Sequence, residues 1–364
     1  MDSLSVLVVD DSALMRNLVG KMINATKGLR VAGSAANGAE ALEKLPLLDV
    51  DVIVLDIEMP VMNGIEFLRR RKAAGIKIPV VVLSSIAEKG AAVTIEALSL
   101  GASDFVQKPS GSESLNIASV KDQVVEKLFG YGNRFRKYFK KKPPVKLLAD
   151  GKSAAGVAGE RRLVTPVRRT GKIELICIGV STGGPDALRV VFSTIDADLK
   201  VPVCVVQHMP EGFTKEFARS LDKICPLDVI EASDGVELSA GRIVIARGAA
   251  HLEVEKRDGR AFARLSSAPP VCGHKPSADV LFASAAVVFQ NHVLGVIMTG
   301  MGKDGSTQLG TIYREGGLTL GQDEATSVVY GMPRVAYELG YVMEQVPLER
   351  MGQRISEAAK RGRL

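Results

Sequence analysis

Short runs of apolar residues alternate with amphipathic stretches along this chain, and no other feature restricts its fold as strongly. In the first 125 residues, five apolar runs predict strands at 5–9, 31–35, 52–55, 80–84 and 104–107. A helical pattern lies between consecutive runs. Strands that alternate with helices favour a doubly wound parallel sheet, whose functional crevice lies at the carboxyl ends of the strands.

The same alternation returns in the second half of the chain, with strand-like runs at 173–178, 201–207 and 292–299. A length of 364 residues is enough for two domains of about 150 residues each. We therefore predict an α/β protein with two doubly wound parallel-sheet domains, at 1–125 and 173–360, joined by a flexible linker at 126–172. The four cysteines form no C-x-x-C pair, which favours structural thiols over a metal site or a disulfide framework.

The predicted linker carries most of the excess positive charge. Residues 134–172 contain 13 lysines or arginines and two acidic residues, whereas the whole chain has a net charge of +6. Like charges repel, and proline and glycine resist packing, which favours a solvated tether. The alternative is an anion-binding element for nucleic acid or an acidic lipid surface. No aromatic-interleaved basic motif or helix-turn-helix pattern follows, so a tether is the preferred interpretation.

Acidic side chains stand at the carboxyl ends of two predicted strands in the first domain. Asp10 and Asp11 follow the first strand, and Asp56 follows the third. Three carboxylates at one rim repel one another unless a cation lies between them, and oxygen ligands suit Mg²⁺. Ser84 and Lys108 end the fourth and fifth strands, where a hydroxyl and an ammonium group can hold a phosphoryl group on Asp56. Taken singly, each acid could instead cap a helix.

A serine flanked by glycines follows the first apolar run of the second domain. Residues 179–183 read Gly-Val-Ser-Thr-Gly, and Pro185 follows. This G-x-S-x-G pattern projects the hydroxyl of Ser181 above the sheet, and a helix opened by Pro185 offers unpaired N–H groups to a developing oxyanion. The alternative is a glycine-rich turn that has no chemistry or that cradles a phosphate.

A histidine and an aspartate follow other apolar runs of the same domain, His208 after 201–207 and Asp304 after 292–299. The carboxyl ends of parallel strands converge. We therefore expect Ser181 as nucleophile, His208 as general base and Asp304 as the group that orients the base. Taken alone, His208 could be a loop histidine bonded to backbone, and Asp304 could be a helix cap.

Three other histidines compete with His208 for the role of base. His292 lies at the start of a predicted strand, which is the wrong end. His251 and His274 are expected in looser loops, where they could contact substrate. None of the three follows a predicted strand directly, so His208 is preferred.

The first half of the chain resembles the response-regulator receiver family over residues 3–125. The matching motifs are Val-Asp-Asp-Ser (9–12), Leu-Asp-Ile-Glu-Met-Pro-Val-Met-Asn-Gly (55–64), Leu-Ser-Ser (83–85) and Asp-Phe-Val-Gln-Lys-Pro (104–109). The resemblance implies a flavodoxin-like fold in which Asp56 accepts a phosphoryl group from a histidine kinase. The other implied roles are Mg²⁺ binding by Asp10, Asp11 and Asp56, phosphoryl contact by Lys108, and a switch pair of Ser84 and Phe105.

The second half is similar to the chemotaxis protein-glutamate methylesterases. The matching motifs are Gly-Val-Ser-Thr-Gly-Gly (179–184), Gln-His-Met-Pro-Glu-Gly-Phe-Thr (207–214), His-Lys-Pro-Ser-Ala-Asp-Val-Leu-Phe (274–282), Met-Thr-Gly-Met-Gly-Lys-Asp-Gly (298–305) and Gln-Asp-Glu-Ala-Thr-Ser-Val-Val-Tyr-Gly-Met-Pro (322–333). The resemblance implies a Rossmann-like three-layer domain without a cofactor. The implied roles are a triad of Ser181, His208 and Asp304, with Thr182 near the histidine and the Met301 backbone at the oxyanion site.

The combined resemblance implies a phosphorylation-activated serine hydrolase. Its substrates would be glutamate methyl esters, and specific glutamines to be deamidated, on methyl-accepting chemoreceptors. Two residues depart from the family pattern: Arg247 stands where proline is usual, and Gln308 replaces a usual small residue. Neither change removes a catalytic group. The segment 349–364 is predicted to be an exposed helix without chemistry.

The chain shows neither an apolar run of about 18 residues, as a membrane span requires, nor the basic start of a signal peptide. We therefore expect a cytoplasmic protein that reaches membranes only through receptors and binds no nucleic acid. The alternative is a response regulator whose second domain binds nucleic acid or receptors without catalysis. Residues 179–184 argue against it, since they lack the third glycine and acidic partner of a dinucleotide site, and no DNA-reading helix is apparent.

Overall fold

Both halves of the chain fold around a parallel sheet covered by helices. The computed structural model describes residues 3–84, 88–108, 120–140 and 169–364, with backbone only at residues 88 and 89. The chain divides into two compact units, Met1–Gly156 and Val157–Leu364. Each unit is described by itself below.

The first unit contains five parallel strands in the order β2-β1-β3-β4-β5. This is the order of a flavodoxin-like sheet, so the predicted fold is confirmed. The strands are β1 (Leu4–Val9), β2 (Leu29–Ala35), β3 (Val52–Asp56), β4 (Val80–Ser84) and β5 (Asp104–Gln107). The helices are α1 (Ala13–Asn24), α2 (Gly38–Lys44), α3 (Gly64–Ala73), α4 (Glu88–Ser99) and α5 (Lys121–Phe135).

The first sheet is buried on both faces, which explains the nearly continuous apolar runs of its central strands. Every residue of β1, β3 and β4 is buried. Polar residues cap two of the helices: Ser12 accepts a hydrogen bond from the backbone of α1, and Asn63 accepts one from α3. Asp10 and Asp11 follow β1 and Asp56 ends β3, so the parallel pairing of these strands places all three acids at one edge of the sheet.

Helix α5 crosses the predicted boundary at residue 125. Its Tyr131 hydroxyl donates a 2.6 Å hydrogen bond to the carbonyl of Ser103. Arg136, in the helical turn Arg136–Lys140 that follows, pairs with the fully buried carboxylate of Asp51. The first part of the predicted linker therefore packs against the first unit, where apolar residues of α5 outweigh its basic composition. The linker residues 141–168 lie outside the described residues.

The second unit contains a seven-stranded parallel sheet in the order β14-β13-β12-β6-β7-β9-β8 and an antiparallel hairpin of β10 and β11. The strands are β6 (Leu175–Val180), β7 (Val203–Gln207), β8 (Asp228–Glu231), β9 (Arg242–Ile245), β10 (His251–Arg257), β11 (Arg260–Ser266), β12 (Val293–Ile297), β13 (Leu318–Gln322) and β14 (Glu344–Val346). The helices are α6 (Gly184–Thr194), α7 (Phe213–Asp222), α8 (Ala278–Phe289), α9 (Ser306–Arg314), α10 (Met332–Glu338) and α11 (Leu348–Arg361).

Three neighbouring strands at the centre of this sheet end at the same edge. Residue Ile297 of β12 pairs with Gly179 of β6, and Val180 of β6 pairs with Gln207 of β7. The segments that begin at 181, 208 and 298 therefore emerge side by side. This register is what brings residues far apart in the sequence to one site.

Helix α11 corrects the expectation that the C-terminal helix is merely exposed. One face of it is buried, with Met351, Gly352 and Ile355 inside. A side chain at Gly352 would collide with the backbone of α6, so the two helices are in close contact. The hydroxyl of Ser356 also accepts a 3.0 Å hydrogen bond from the Asp196 amide. The amphipathic pattern of the segment therefore serves packing.

The thiols of Cys177 and Cys204 lie in β6 and β7 and are fully buried. Burial raises the pKa of the Cys204 thiol to about 12. Buried neutral thiols of this kind pack as small apolar groups, as predicted. Among the helices of the described residues, none combines the length and hydrophobicity that crossing a bilayer requires.

Candidate functional site

Ser181 lies in the turn between β6 and α6. Its backbone N–H donates a 3.0 Å hydrogen bond to the carbonyl of Thr299, and its carbonyl accepts a 2.7 Å bond from the Gly184 amide. Gly183 has a φ of 85°, a conformation that side chains disfavour. On the other side, a Cβ at Gly300 would lie 2.7 Å from the Cβ of Ser181. The two glycines thus allow a sharp turn and the close approach of a second backbone.

His208 follows β7 directly and bridges Ser181 and Asp304. Its Nδ1 lies 3.0 Å from the Oγ of Ser181, and its Nε2 lies 2.7 Å from Oδ2 of Asp304. The side chain is only 9% exposed. An Nε2–H that donates to the carboxylate leaves Nδ1 free of a proton and able to accept the serine hydroxyl. In the chymotrypsin-type triad, by contrast, Nε2 faces the serine and Nδ1 faces the aspartate.

The carboxylate of Asp304 accepts hydrogen bonds at both oxygens. Besides His208, Oδ2 accepts a 2.7 Å bond from the Ala278 amide, and Oδ1 accepts a 2.6 Å bond from the Ser277 hydroxyl and a 3.2 Å bond from the Asp279 amide. These groups form the N-terminus of α8, whose dipole favours a negative charge. Burial raises the pKa of Asp304, but the bonds from His208, Ser277 and Ala278 outweigh it and leave the pKa below its usual value. Asp304 is therefore ionised at neutral pH.

The side chain of Gln207 holds the turn that carries Ser181. Its Nε2 donates to the carbonyl of Ser181 at 3.1 Å and to the carbonyl of His208 at 3.0 Å. One side chain thus fixes the backbone of both residues relative to each other. A Cβ at Gly184 would overlap the Oε1 of Gln207 and lie 2.9 Å from its Cδ. Only glycine leaves room for this amide.

Replacing Gly184 with alanine is expected to destabilise the protein by about 1–3 kcal/mol, the usual cost of overpacking a rigid core. The displaced Gln207 amide would also loosen Ser181 and His208, so Ser181 should react more slowly with a fluorophosphonate. Denaturant unfolding and the labelling rate measure the two effects. The control is Gly20→Ala in α1, where the nearest side-chain atom lies 3.8 Å from the added Cβ. Equal stability and labelling in Gly184→Ala and wild type would contradict the packing argument.

Thr182 and Met301 lie on the two segments beside Ser181. Thr182 is 4% exposed, and its carbonyl accepts a 2.9 Å hydrogen bond from the Thr299 hydroxyl. Met301 is 53% exposed and follows Gly300, whose carbonyl accepts bonds from the amides of Gly331 and Met332. These bonds hold the segment that follows β12 next to Ser181. The roles predicted for Thr182 and for the Met301 backbone stay predictions.

The remaining histidines occupy three different environments. The His274 ring stacks on the His208 ring, with centroids 3.8 Å apart and an interplanar angle of 11°. His251 is fully buried at the start of β10, so its expected place in a loose loop was wrong; Nε2 contacts the Pro269 carbonyl at 3.1 Å. His292 precedes β12 at the opposite edge of the sheet. Sequence reasoning gave His274 no more weight than His251, because nothing in the spacing predicted the stack.

The two departures from the family pattern lie close to this site. Arg247 is half exposed, and its guanidinium lies 3.6 Å from the carboxylate of Glu211, three residues after His208. The Gln308 amide donates a 3.0 Å hydrogen bond to Asp279 at the start of α8. Neither residue contacts the Ser181–His208–Asp304 chain of hydrogen bonds through a described contact.

The three carboxylates of the first unit cluster at the edge of its sheet. Ligand oxygens of Asp10, Asp11 and Asp56 all lie within 4.8 Å of one another. The Lys108 ammonium lies 2.9 Å from Asp56 Oδ2 and 3.1 Å from Asp10 Oδ2. Asp56, Asp11 and Lys108 line a cavity of 330 Å³ that also includes Ser84.

The cluster sets three carboxylates against one ammonium group, so its charges favour a further cation. Burial, the largest cause, and the Asp10 charge raise the pKa of Asp56 even though Lys108 acts in the opposite direction. Burial lowers the pKa of Lys108, but the two carboxylates outweigh it, so its pKa is raised. A hard cation among three carboxylates would relieve the remaining repulsion, and its open positions would suit water or a phosphoryl oxygen. The donor set therefore fits Mg²⁺.

Ser84 and Phe105 lie on neighbouring strands at the same edge. Ser84 pairs with Gln107, two residues along β5 from Phe105, so the side chains of Ser84 and Phe105 share a face of the sheet. Both are buried. The Ser84 hydroxyl is hydrogen-bonded to the buried hydroxyl of Thr94 on α4, which itself donates to the Gly90 carbonyl. The switch role of the pair stays a prediction.

Comparison with known proteins identifies both parts of the chain. Residues 176–355 match the family described as CheB methylesterase, and residues 6–119 match the family described as response regulator receiver domain. A relative from Treponema denticola, named protein-glutamate methylesterase/protein-glutamine glutaminase, is 54% identical over 99% of both chains. A relative of the same name from Clostridium acetobutylicum is 41% identical over 98% of this chain and 97% of its own. The crystal structure of the CheB methylesterase catalytic domain of Thermotoga maritima covers 51% of this chain and 98% of that domain, with 35% identity and a TM-score of 0.50.

Proposed function

This chain belongs to the protein-glutamate methylesterases that carry a receiver domain, and we propose that Ser181, His208 and Asp304 are the residues that hydrolyse the ester. The substrate is the γ-methyl ester of glutamate side chains on methyl-accepting chemoreceptors. The observation that carries the assignment is the continuous chain of hydrogen bonds from the Ser181 hydroxyl through His208 to the ionised Asp304. Such a chain makes a neutral hydroxyl nucleophilic at neutral pH.

The reaction proceeds in two halves through an acyl-enzyme. The Oγ of Ser181 attacks the ester carbonyl carbon while Nδ1 of His208 takes the hydroxyl proton. The tetrahedral intermediate expels the methoxy group, and His208 returns the proton so that methanol leaves. Water then gives a proton to His208 and attacks the acyl carbon. The bond to the Oγ of Ser181 breaks, His208 passes the proton to that oxygen, and the glutamate carboxyl leaves. Asp304 holds the imidazole in the required tautomer and stabilises its positive charge.

The same acyl chemistry converts a receptor glutamine to glutamate, with ammonia as the leaving group in place of methanol. In both reactions the carbonyl oxygen becomes an oxyanion beside Gly300. We propose that the backbone N–H of Met301 stabilises this oxyanion. We also propose that Thr182 forms part of the surroundings of the His208 ring. Preorganised donors of this kind usually contribute the largest electrostatic part of the rate enhancement.

The receiver domain regulates this activity by phosphorylation. We assign Asp56 as the phosphoacceptor and a histidine kinase as the donor. Asp10, Asp11 and Asp56 would hold Mg²⁺, which neutralises the charge of the transferred phosphoryl group. Lys108 contacts that group, and the Ser84 hydroxyl turns from Thr94 toward the new acceptor oxygens while Phe105 fills the space behind it. The proposed reaction uses no metal in the catalytic unit, where the Asp304 carboxylate accepts four hydrogen bonds.

The proposed partners follow from the two reactions. The receptors are the protein substrate, and the protein meets the membrane only through them. The methylated glutamates lie on the cytoplasmic helices of receptors, so we place the protein in the cytoplasm. No nucleic acid takes part. Covalent capture of a fluorophosphonate at Ser181 tests the hydrolase assignment, whereas a salt-sensitive shift of DNA without labelling would support a binding domain.

Replacing Asp56 with asparagine is expected to abolish the rise in methanol release that a small phosphodonor with Mg²⁺ produces. The amide cannot form the acyl phosphate, so the switch at Ser84 has no trigger. Methanol release with and without the phosphodonor measures the stimulation. The control is Asp122→Asn, an exposed acid at the start of α5. Full stimulation in Asp56→Asn would show that the phosphoryl group is placed elsewhere.

A further inference from the structure

We propose that His274 is a positioning residue, whose ring lies on the face of the His208 ring and keeps both nitrogens of His208 aimed at Ser181 and Asp304. The proposal rests on the proposed function of Ser181. It gives a role to a side chain that the triad does not include. His274 itself contacts neither Ser181 nor Asp304 through a described hydrogen bond.

The geometry of the two rings is that of a parallel stack. Their centroids lie 3.8 Å apart and their planes differ by 11°. His208 bonds Ser181 and Asp304 through its two ring nitrogens, and these bonds do not cover the face of the ring. A flat neighbour on that face restrains rotation of the ring out of the plane. Such restraint matters because a misplacement of about 1 Å can lower a rate about 100-fold.

His274 is held in place by its own turn. The amides and carbonyls of Val271 and His274 exchange two hydrogen bonds, of 3.0 and 2.9 Å. The intervening Cys272 and Gly273 have φ values of 52° and 81°, as in the primed turns that favour glycine. Before the turn, the carbonyl of Pro269 contacts the buried ring of His251. These hydrogen bonds restrain the backbone that carries the His274 ring.

The same segment also fixes the other partner of His208. Three residues after His274, the Ser277 hydroxyl and then the Ala278 amide donate to Asp304. The segment 269–278 thus supports the face of the His208 ring and holds the carboxylate at its edge. Any movement of the segment would disturb both contacts together, which makes it the structural support of the general base.

The charge state of His274 suits this role. Burial, and next the proximity of His208, lower the pKa of His274 to about 4, although Asp304 acts in the opposite direction. His274 is therefore neutral when His208 carries the proton of Ser181. A neutral aromatic ring against an imidazolium is attractive, whereas a second positive charge would repel it.

The test compares His274→Ala, which removes the ring, with His274→Phe, which keeps a flat aromatic face but has no nitrogen. The rate of fluorophosphonate labelling at Ser181 and methanol release from the γ-methyl ester of an N-acetylglutamate amide are both measured. We expect His274→Ala to lower the labelling rate and kcat about 10- to 100-fold with KM unchanged. His274→Phe should restore both to within about threefold of wild type. His292→Ala, at the opposite edge of the sheet, is the control and should behave as wild type.

Three results would overturn the proposal. If His274→Phe is as slow as His274→Ala, a ring nitrogen is required and the residue is not a flat support. If His274→Ala matches wild type, the stack is irrelevant. If KM rises while kcat and labelling stay unchanged, His274 contacts substrate instead. Should His274→Ala unfold, His274→Gln takes its place with the same expected loss. Ester hydrolysis and labelling that persist in Ser181→Ala would instead reject the proposed function itself.

Discussion

Replacing Ser181 with alanine is expected to lower turnover of glutamate methyl esters by about 10⁴- to 10⁶-fold, because members of a triad act as a unit. The alanine has no hydroxyl to attack the ester, so the acyl-enzyme cannot form. The turn itself should persist, since its hydrogen bonds to Thr299 and Gly184 use only the Ser181 backbone. The loss should therefore appear in kcat while the melting temperature stays near that of wild type.

Methanol release under saturating substrate measures this loss, and mass spectrometry after fluorophosphonate treatment shows whether another residue is labelled. The matched control is Ser193→Ala, an exposed serine on α6 whose hydroxyl donates to the Val190 carbonyl of the same helix. It should retain full activity. A Ser181→Ala protein with near-normal turnover would mean that the nucleophile lies elsewhere.

Replacing Asp304 with asparagine is expected to lower kcat about 10⁴-fold, the cost of presenting the histidine in the wrong tautomer. The amide NH₂ would donate to His208 or face the Ala278 and Asp279 amides, which are donors themselves. Either arrangement leaves one buried donor unpaired, so the protein should also lose stability. Kinetics and denaturant unfolding measure the two effects. The control is Asp258→Asn, at the exposed tip of the β10–β11 hairpin.

The pH dependence of stability tests whether the Asp304 carboxylate is ionised in the folded protein. The pKa of Asp304 is lowered in the folded protein. Its ionised form therefore stabilises the fold at pH values above the pKa of an unfolded aspartate, about 4. This stabilisation is lost as the pH falls through the folded pKa. The difference in unfolding free energy between wild type and Asp304→Asn should therefore shrink below about pH 4. A difference that stays constant into acid would show that the carboxylate is not ionised in the folded state.

The sequence predicted the positions at which chemistry occurs better than it predicted what supports them. Parallel strands force their carboxyl ends to one edge, so residues directly after apolar runs, such as Ser181 and His208, could be expected to meet. The strands β4 and β5 even have the predicted bounds. Asp304 lies seven residues beyond β12, and its partners at the start of α8 depend on how a loop folds back over the sheet.

Other features depend on packing that a linear pattern does not contain. The stack of His274 on His208 needs a tight turn at Cys272 and Gly273, which no periodicity indicates. Helix α5 extends into the predicted linker because buried residues such as Tyr131 outweigh the surrounding basic charge. The C-terminal helix is buried on one face for the same reason. In each case tertiary contacts decide between alternatives that local composition leaves open.

The most direct measurement is methanol release from methylated receptor membranes, with the intact protein and with Ser181→Ala, each with and without a small phosphodonor and Mg²⁺. We expect release that requires Ser181 and that rises when the phosphodonor and Mg²⁺ are present. Such a result would link the serine chemistry and the receiver in one chain. Release that is equal in the two proteins, or absent in both while a related methylesterase acts on the same membranes, would contradict a phosphorylation-activated serine esterase.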